Sequence, residues 1–345
     1  MSKTYKITCK DCGKYYWADN RRNKKIEELL KVDPDYLNNY ICKDCRVGNP
    51  MAGEPIDPVK RVKTKQSQKT VKSSLVGYTK VLQRIVNILK YGSKAVILGG
   101  YHGLGKTTMA YDIAEYFDAE VIRLQVTEML SDIDIVGGVD PVSGKFLESD
   151  FVQKVREAIE NPSKKYLLLI DEFTRGREEA MEIFFPVFAE RLLVINSPYA
   201  ENKEILITNN IMVMATGNIH DRGVREVGGA EFDRFNGVEI EPLKNKTVLR
   251  QMLKKCTKLK ETDVINNLLD FYLLSWEYGS EARILPMSHR TLIEVGNVCA
   301  GKIADGFDTE DVLKHTLEET YFVSSQAMLN PNFKNTYEQM IREVL

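Results

Sequence analysis

Apolar residues along this chain follow two rhythms. Val81–Leu89 carries them at helical spacing, whereas Ala95–Leu98, Tyr166–Ile170 (YLLLI) and Ile211–Ala215 (IMVMA) are unbroken apolar runs of strand length. Runs of the second kind predict strands buried on both faces, as in a parallel sheet covered by helices. Beyond Leu243 the spacing becomes helical again over Lys246–Lys255, Asp263–Glu277 and His289–Ala304, with no convincing strand. Near the start, Asn23–Val32 predicts a short helix. From Gly48 to Ser74 the chain is rich in Pro, Lys, Ser and Gln and has almost no apolar period, which predicts a linker. No repeat recurs at 20–50 residues, so a solenoid or propeller has no support.

The length of 345 residues predicts two or three domains, and a composition of 43% hydrophobic and 28% charged residues excludes collagen-like and wholly disordered classes. No apolar run approaches the roughly 18 residues that span a bilayer, and the start MSKTYKITCKDCGK lacks a signal peptide's apolar core. The expectation is a cytoplasmic chain with no membrane segment. The net charge of −1 hides an asymmetry: residues 1–74 hold 17 Lys+Arg against 9 Asp+Glu, a net of +8, leaving −9 on the remaining 271. A basic appendage of this kind serves nucleic acid, an acidic protein surface or solubility.

Four of the six cysteines fall in that appendage as two CKDC pairs, Cys9/Cys12 and Cys42/Cys45. Each pair can wrap a turn around one Zn²⁺, and four thiolates complete a closed tetrahedral site with no position for substrate. The expectation is a structural zinc. A disulfide framework fits poorly with a chain that shows no export signal. Beside the first pair, Tyr15, Tyr16 and Trp17 with Lys14, Arg21 and Arg22 could stack on bases and meet phosphates. The alternative, that YYW fills a core too small to stand without metal, is the favoured one.

The chemistry-bearing pattern follows the first predicted strand. Gly100-x4-Gly105-Lys106-Thr107 satisfies the P-loop pattern between a strand and a helix, with Gly103, Leu104 and Thr108 in the same cradle. Backbone N–H groups would curl around phosphate oxygens, Lys106 would reach the β/γ-phosphates and the Thr107 hydroxyl would ligate Mg²⁺. The YLLLI run ends in Asp171-Glu172. Asp171 is the candidate Mg²⁺ partner and Glu172 the candidate for orienting the attacking water; alone, such acids also cap helices. The IMVMA run leads into Thr216-Gly217-Asn218, which makes Asn218 a candidate phosphate or water sensor, or a turn residue.

GGYHGLGKTT, LLLIDE, MATGN and EFDRF occur in the order found in AAA+ ATPases, and the segment resembles the MoxR-type branch. GYHGLGKTT looks most like the small AAA+ subunit of cobaltochelatase and the CbbQ and NorQ activases. Ser131–Gly138 resembles that family's insert in its second helix, and Arg191–Ile207 its hairpin before sensor 1. The resemblance covers roughly residues 75–300 and implies an α/β AAA+ core with a C-terminal helical lid. The expected organisation is a zinc-binding module at 1–47, a basic linker at 48–74, the nucleotide-binding domain at 75–243 and the lid at 244–345.

Carried over, the pattern makes Asn218 sensor 1, Arg234 the arginine finger entering a neighbour's site, with Arg222 and Arg225 as rivals, and Arg290 the sensor 2 arginine. His289 stands where many relatives have Pro. The resemblance implies ATP and Mg²⁺ as ligands, a homo-oligomeric ring expected to be a hexamer, and a separate client or von Willebrand A-domain protein. The leading expectation is a motor that remodels or activates a protein complex. The alternatives are a nucleic-acid motor using the basic zinc module and a nucleotide-dependent scaffold.

Overall fold

A computed structural model describes residues 6–8, 15–17, 71–92, 95–219, 236–282, 285–323 and 331–345. The chain divides into two compact units, 1–69 and 70–345. In the first, β1 (Lys6–Thr8) pairs antiparallel with β2 (Tyr15–Trp17), Ile7 opposite Tyr16.

The second unit opens with α1 (Thr79–Tyr91) and β3 (Ala95–Gly100), followed by α2 (Lys106–Phe117) and β4 (Ala119–Gln125). Helix α3 (Asp132–Val136) leads into a hairpin of β5 (Gly137–Val139) and β6 (Phe146–Glu148), and α4 (Asp150–Glu160) leads into β7 (Lys165–Asp171). Two short helices, α5 (Glu178–Met181) and α6 (Phe184–Ala189), precede a hairpin of β8 (Leu192–Val194) and β9 (Glu204–Leu206). Strands β10 (Ile211–Asn218) and β11 (Asn236–Ile240) complete the sheet.

The main sheet is parallel, in the order β11-β3-β10-β7-β4. Its apolar runs are continuous because both faces are covered, and alternation along each strand splits them between two cores. Ile97, Leu168, Ile170, Val213 and Ala215 face a cluster with Phe151, Val152 and Val155 of α4. Val96, Leu98, Leu167, Leu169 and Met214 face the other, with Leu82, Ile85 and Leu89 of α1 and Met109 and Ile113 of α2. Ser73 and Ser74, at the end of the stretch expected to be a linker, are tied to this layer. Both hydroxyls and the Ser74 N–H donate to the buried Asp112 carboxylate of α2.

The expected strands are present and longer than their apolar runs. Strand β10 runs through Thr216-Gly217-Asn218 instead of stopping at Ala215, because β3 continues to pair with it as far as Gly100 opposite Asn218. The sequence pattern did not anticipate β4 and β11. Edge strand β4 (AEVIRLQ) is mostly exposed or half-buried and lacks a continuous apolar run.

After β11 come α7 (Lys246–Cys256), α8 (Thr262–Ala282), α9 (His289–Ala304), α10 (Thr309–Leu317), a π-helical turn at Glu318–Phe322, and α11 (Pro331–Val344). They share a third core built on Leu253, Leu268, Phe271, Tyr272, Leu292 and Leu313. Leu243 and Trp276 pack against this cluster and against the α1/α2 face of the sheet, joining bundle to sheet. Among the described residues, no helix is long and apolar enough to cross a membrane.

Candidate functional site

Parallel pairing brings the carboxyl ends of β3, β10 and β7 to one edge of the sheet, where open α/β sheets place their ligands. The loop after β3 turns into α2 through Gly105, a left-handed residue that caps the helix. Gly100 has φ +146° and lies so close to β11 that a Cβ there would sit 2.5 Å from the Ile240 carbonyl oxygen. Gly103 has φ +67°, and a Cβ there would lie 2.5 Å from Ser288 Oγ at the start of α9. Only glycine fits either position without displacing a neighbour, so the loop presents bare backbone beside a twelve-residue helix N-terminus, a combination suited to phosphate.

Lys106, the first residue of α2, is buried and bends back over this loop. Its Nζ donates to Gly100 O (3.0 Å), Tyr101 O (2.6 Å) and Asn218 Oδ1 (2.7 Å). The next residue, Thr107, donates its hydroxyl to Asp171 Oδ1 at 2.9 Å. Thr216 donates to the same oxygen at 2.5 Å and accepts the Glu172 N–H at 3.0 Å. Arg123 of β4 holds the other oxygen, Nη2 to Oδ2 at 2.6 Å. The Asp171 carboxylate is thus buried with two hydroxyls on one oxygen and a guanidinium on the other, the condition under which a buried charge is tolerated.

Glu172 has a left-handed backbone, φ +59°, which costs a non-glycine residue energy and occurs where surrounding structure enforces it. Its carboxylate meets Arg175 Nε at 2.7 Å. The Asn218 N–H donates to Thr174 Oγ1 at 2.9 Å, which sets the end of β10 against the turn after β7.

The helical side of the site is built differently. Ser288 caps α9, accepting the Thr291 N–H at 3.1 Å, and the Arg290 N–H donates to Gly103 O at 3.3 Å. Arg290 is exposed and borders a pocket of about 230 Å³ with Leu75, Val76, Leu104, Met252 and Ile293 as its apolar walls. Between them His289 is buried: its Nε2 accepts the Leu243 N–H at 3.3 Å, which leaves Nδ1 to face Tyr78 Oη at 3.5 Å. Tyr78 in turn donates to Glu241 O at 2.8 Å. Burial lowers the His289 pKa to about 4, so the ring is neutral near pH 7, and it stacks on Tyr272.

Of the residues expected at the site, Gly100, Gly103, Leu104, Gly105, Lys106, Thr107, Thr108, Asp171, Glu172, Asn218 and Arg290 lie on or beside this edge. Arg234, with Arg222 and Arg225, lies outside the described residues, as do Cys9, Cys12, Cys42 and Cys45. Among the described residues no group of three or more His, Cys, Asp or Glu is placed to hold a metal ion. The sequence pattern assigned no role to Thr216, Thr174 or Arg123. Thr216 stands within the MATGN run, but its two bonds depend on β10 lying between β3 and β7.

The residues present fit a magnesium nucleotide. The glycine loop leaves space that a Cβ would fill, and Thr107 and Asp171 form the hard oxygen pair that Mg²⁺ prefers, directly or through water.

Residues 95–235 match the AAA domain family of the dynein-related subfamily. The chain is 28% identical over 218 residues to the type IV methyl-directed restriction enzyme EcoKMcrB subunit of Escherichia coli K12, covering 57% of this chain and 46% of that protein. It is 25% identical over 156 residues to the gas vesicle ATPase GvpN of Ancylobacter aquaticus, covering 41% and 44%. The chain therefore spans less than half the length of each of these relatives. A solved structure of the RuvB Holliday junction branch migration motor of Thermotoga maritima aligns with 70% of this chain and 69% of its own at 15% identity, TM-score 0.45. The match to an AAA domain over residues 95–235 agrees with the five-stranded parallel sheet and the glycine loop between β3 and α2, an α/β P-loop nucleotide-binding fold of the AAA+ type.

Proposed function

We propose that this chain, through its AAA domain of the dynein-related, MoxR-like kind, is an ATP hydrolase that works as a ring to remodel or activate a protein complex. One observation carries the hydrolytic reading: Lys106, Thr107, Asp171, Glu172 and Asn218 converge at the ends of three adjacent strands, joined by Lys106–Asn218 and Thr107–Asp171 hydrogen bonds. The similarity to a named gas vesicle ATPase agrees with it.

In this reading the glycine loop and the α2 N-terminus bind the phosphates, and Lys106 places its ammonium among them. Thr107 and Asp171 hold Mg²⁺, which supplies positive charge to the phosphate oxygens. Glu172, fixed by its strained backbone and by Thr216, orients water, and Asn218 senses the reacting end. Arg290 reaches the nucleotide from the helical bundle, which acts as a lid. Arg234 serves as a finger toward a neighbouring subunit. The resemblance to the cobaltochelatase subunit and to the CbbQ and NorQ activases makes a separate client or von Willebrand A-domain chain the expected partner. Zn²⁺ on Cys9, Cys12, Cys42 and Cys45 belongs to the same proposal, since the β1–β2 hairpin flanks the first pair in sequence.

Glu172→Gln tests the mechanism. It should retain ATP affinity within about twofold while steady-state turnover falls on the order of 10²–10⁴; unchanged turnover would remove Glu172 from the chemistry.

A further inference from the structure

We infer that Arg123 is a positioning residue for Asp171 that competes with the divalent cation for that carboxylate and so sets how much Mg²⁺ the site requires. The inference rests on the proposed magnesium-nucleotide reading.

Arg123 and Asp171 come from neighbouring parallel strands, with Gln125 of β4 opposite Asp171 and Arg123 opposite Leu169. The Arg123 guanidinium reaches along the strand, hydrogen-bonds the Gln125 side chain and ends 2.6 Å from Asp171 Oδ2. The two partners are unequally placed: the Asp171 side chain is 2% exposed and that of Arg123 is 42% exposed. A buried carboxylate needs its partners, whereas a guanidinium on the rim can turn into water at little cost.

A carboxylate offers about four lone-pair sites. On Asp171, Oδ1 takes the hydroxyls of Thr107 and Thr216 and Oδ2 takes Arg123. Any cation drawn to Asp171 meets the guanidinium on the same group, and like charges at such range repel. Arg123 therefore stabilises Asp171 and holds its orientation toward Thr107 while opposing the charge of an incoming divalent ion.

This role has the opposite sign from simple structural support. If Arg123 only propped up Asp171, its loss would weaken metal-dependent binding. As a competitor, its loss strengthens it.

The test uses the full chain and a fluorescent ATP analogue, with Mg²⁺ titrated from an EDTA-buffered start and nucleotide affinity as readout. Arg123→Gln should lower the Mg²⁺ midpoint roughly three- to tenfold, with affinity in EDTA unchanged, and Arg123→Lys, which keeps the charge, should stay near the wild-type midpoint. An unchanged or raised midpoint in Arg123→Gln would overturn the inference while leaving the nucleotide reading standing. Failure of the wild-type chain to bind the analogue at any Mg²⁺ concentration would overturn both. Should Arg123→Gln fail to fold, Gln125→Ala, which frees the guanidinium from its second anchor, should lower the midpoint by a smaller factor; no shift there would equally sink the inference.

Discussion

The strand side and the helical side of the candidate site are built on different principles. On the strand side Lys106, Asp171 and Asn218 are buried and bonded to partners held by parallel strand register. On the helical side Arg290 is exposed, and its backbone N–H bonds Gly103 O in the loop, held in place by the Ser288 cap and the buried His289 behind it. The first side is preorganised by buried hydrogen bonds among its own groups. The second delivers its residue on the end of a helix whose bundle has a core of its own. Under the proposed function, this contrast divides the labour: strands would assemble the charges that meet phosphate, and the bundle would carry a contact that responds to what is bound.

The largest effect should come from the strand side. Lys106→Ala removes an ammonium that binds two carbonyls and the Asn218 amide, and should lower nucleotide affinity on the order of 100-fold in equilibrium binding. Subunits carrying it, mixed with Arg234→Ala subunits, should regain some turnover if the finger acts between neighbours. Were Lys106→Ala to bind as wild type, the contrast between the two sides would collapse. Arg290→Ala should cost roughly three- to tenfold in nucleotide affinity, because an exposed cation contributes little in water. A loss equal to that of Lys106→Ala would show that the helical side contributes as much to binding as the sheet.

A separate effect, on stability and not on binding, is a pH slope at the junction between the two sides. The folded-state pKa of His289, about 4, lies below the unfolded value of about 6.5. Between those values the unfolded chain binds a proton that the folded chain refuses. Its contribution is therefore fully present above about pH 6.5 and is lost as pH falls toward 4, by up to about 1.4 kcal/mol per pH unit. Denaturant unfolding at pH 7, 6 and 5 should show a shallower decline in His289→Gln than in wild type. Equal slopes would place the pH sensitivity elsewhere.

Much of the fold was legible because strands covered on both faces write themselves as unbroken apolar runs, as YLLLI and IMVMA do. Edge strand β4 was not legible, since AEVIRLQ faces solvent along much of its length and carries no such run. Strand β11 (NGVEI) is equally short of apolar residues, and only Val238 and Ile240 are buried. The same limit hid Arg123, whose contact with Asp171 depends on the strand it sits on. In the site, the glycine spacing, Lys106 and Asp171-Glu172 were legible because each is a pattern of residues close together in sequence. Thr216 and Thr174 did not, because a hydroxyl's role depends on which strand lies beside it.

By itself, then, the sequence determined the local matters: a P-loop between strand and helix, acids at a strand end, and continuous apolar runs that direct the chain into a covered parallel sheet. Tertiary structure alone decided that β10 inserts between β3 and β7, although 39 residues of sequence lie between the end of β7 at Asp171 and the start of β10 at Ile211. That insertion puts Asn218 on Lys106 and Thr216 on Asp171. The physical reason is range: hydrophobic period and glycine geometry act over a few residues, whereas the partners of a buried charge are chosen by strand order, which the whole core sets at once.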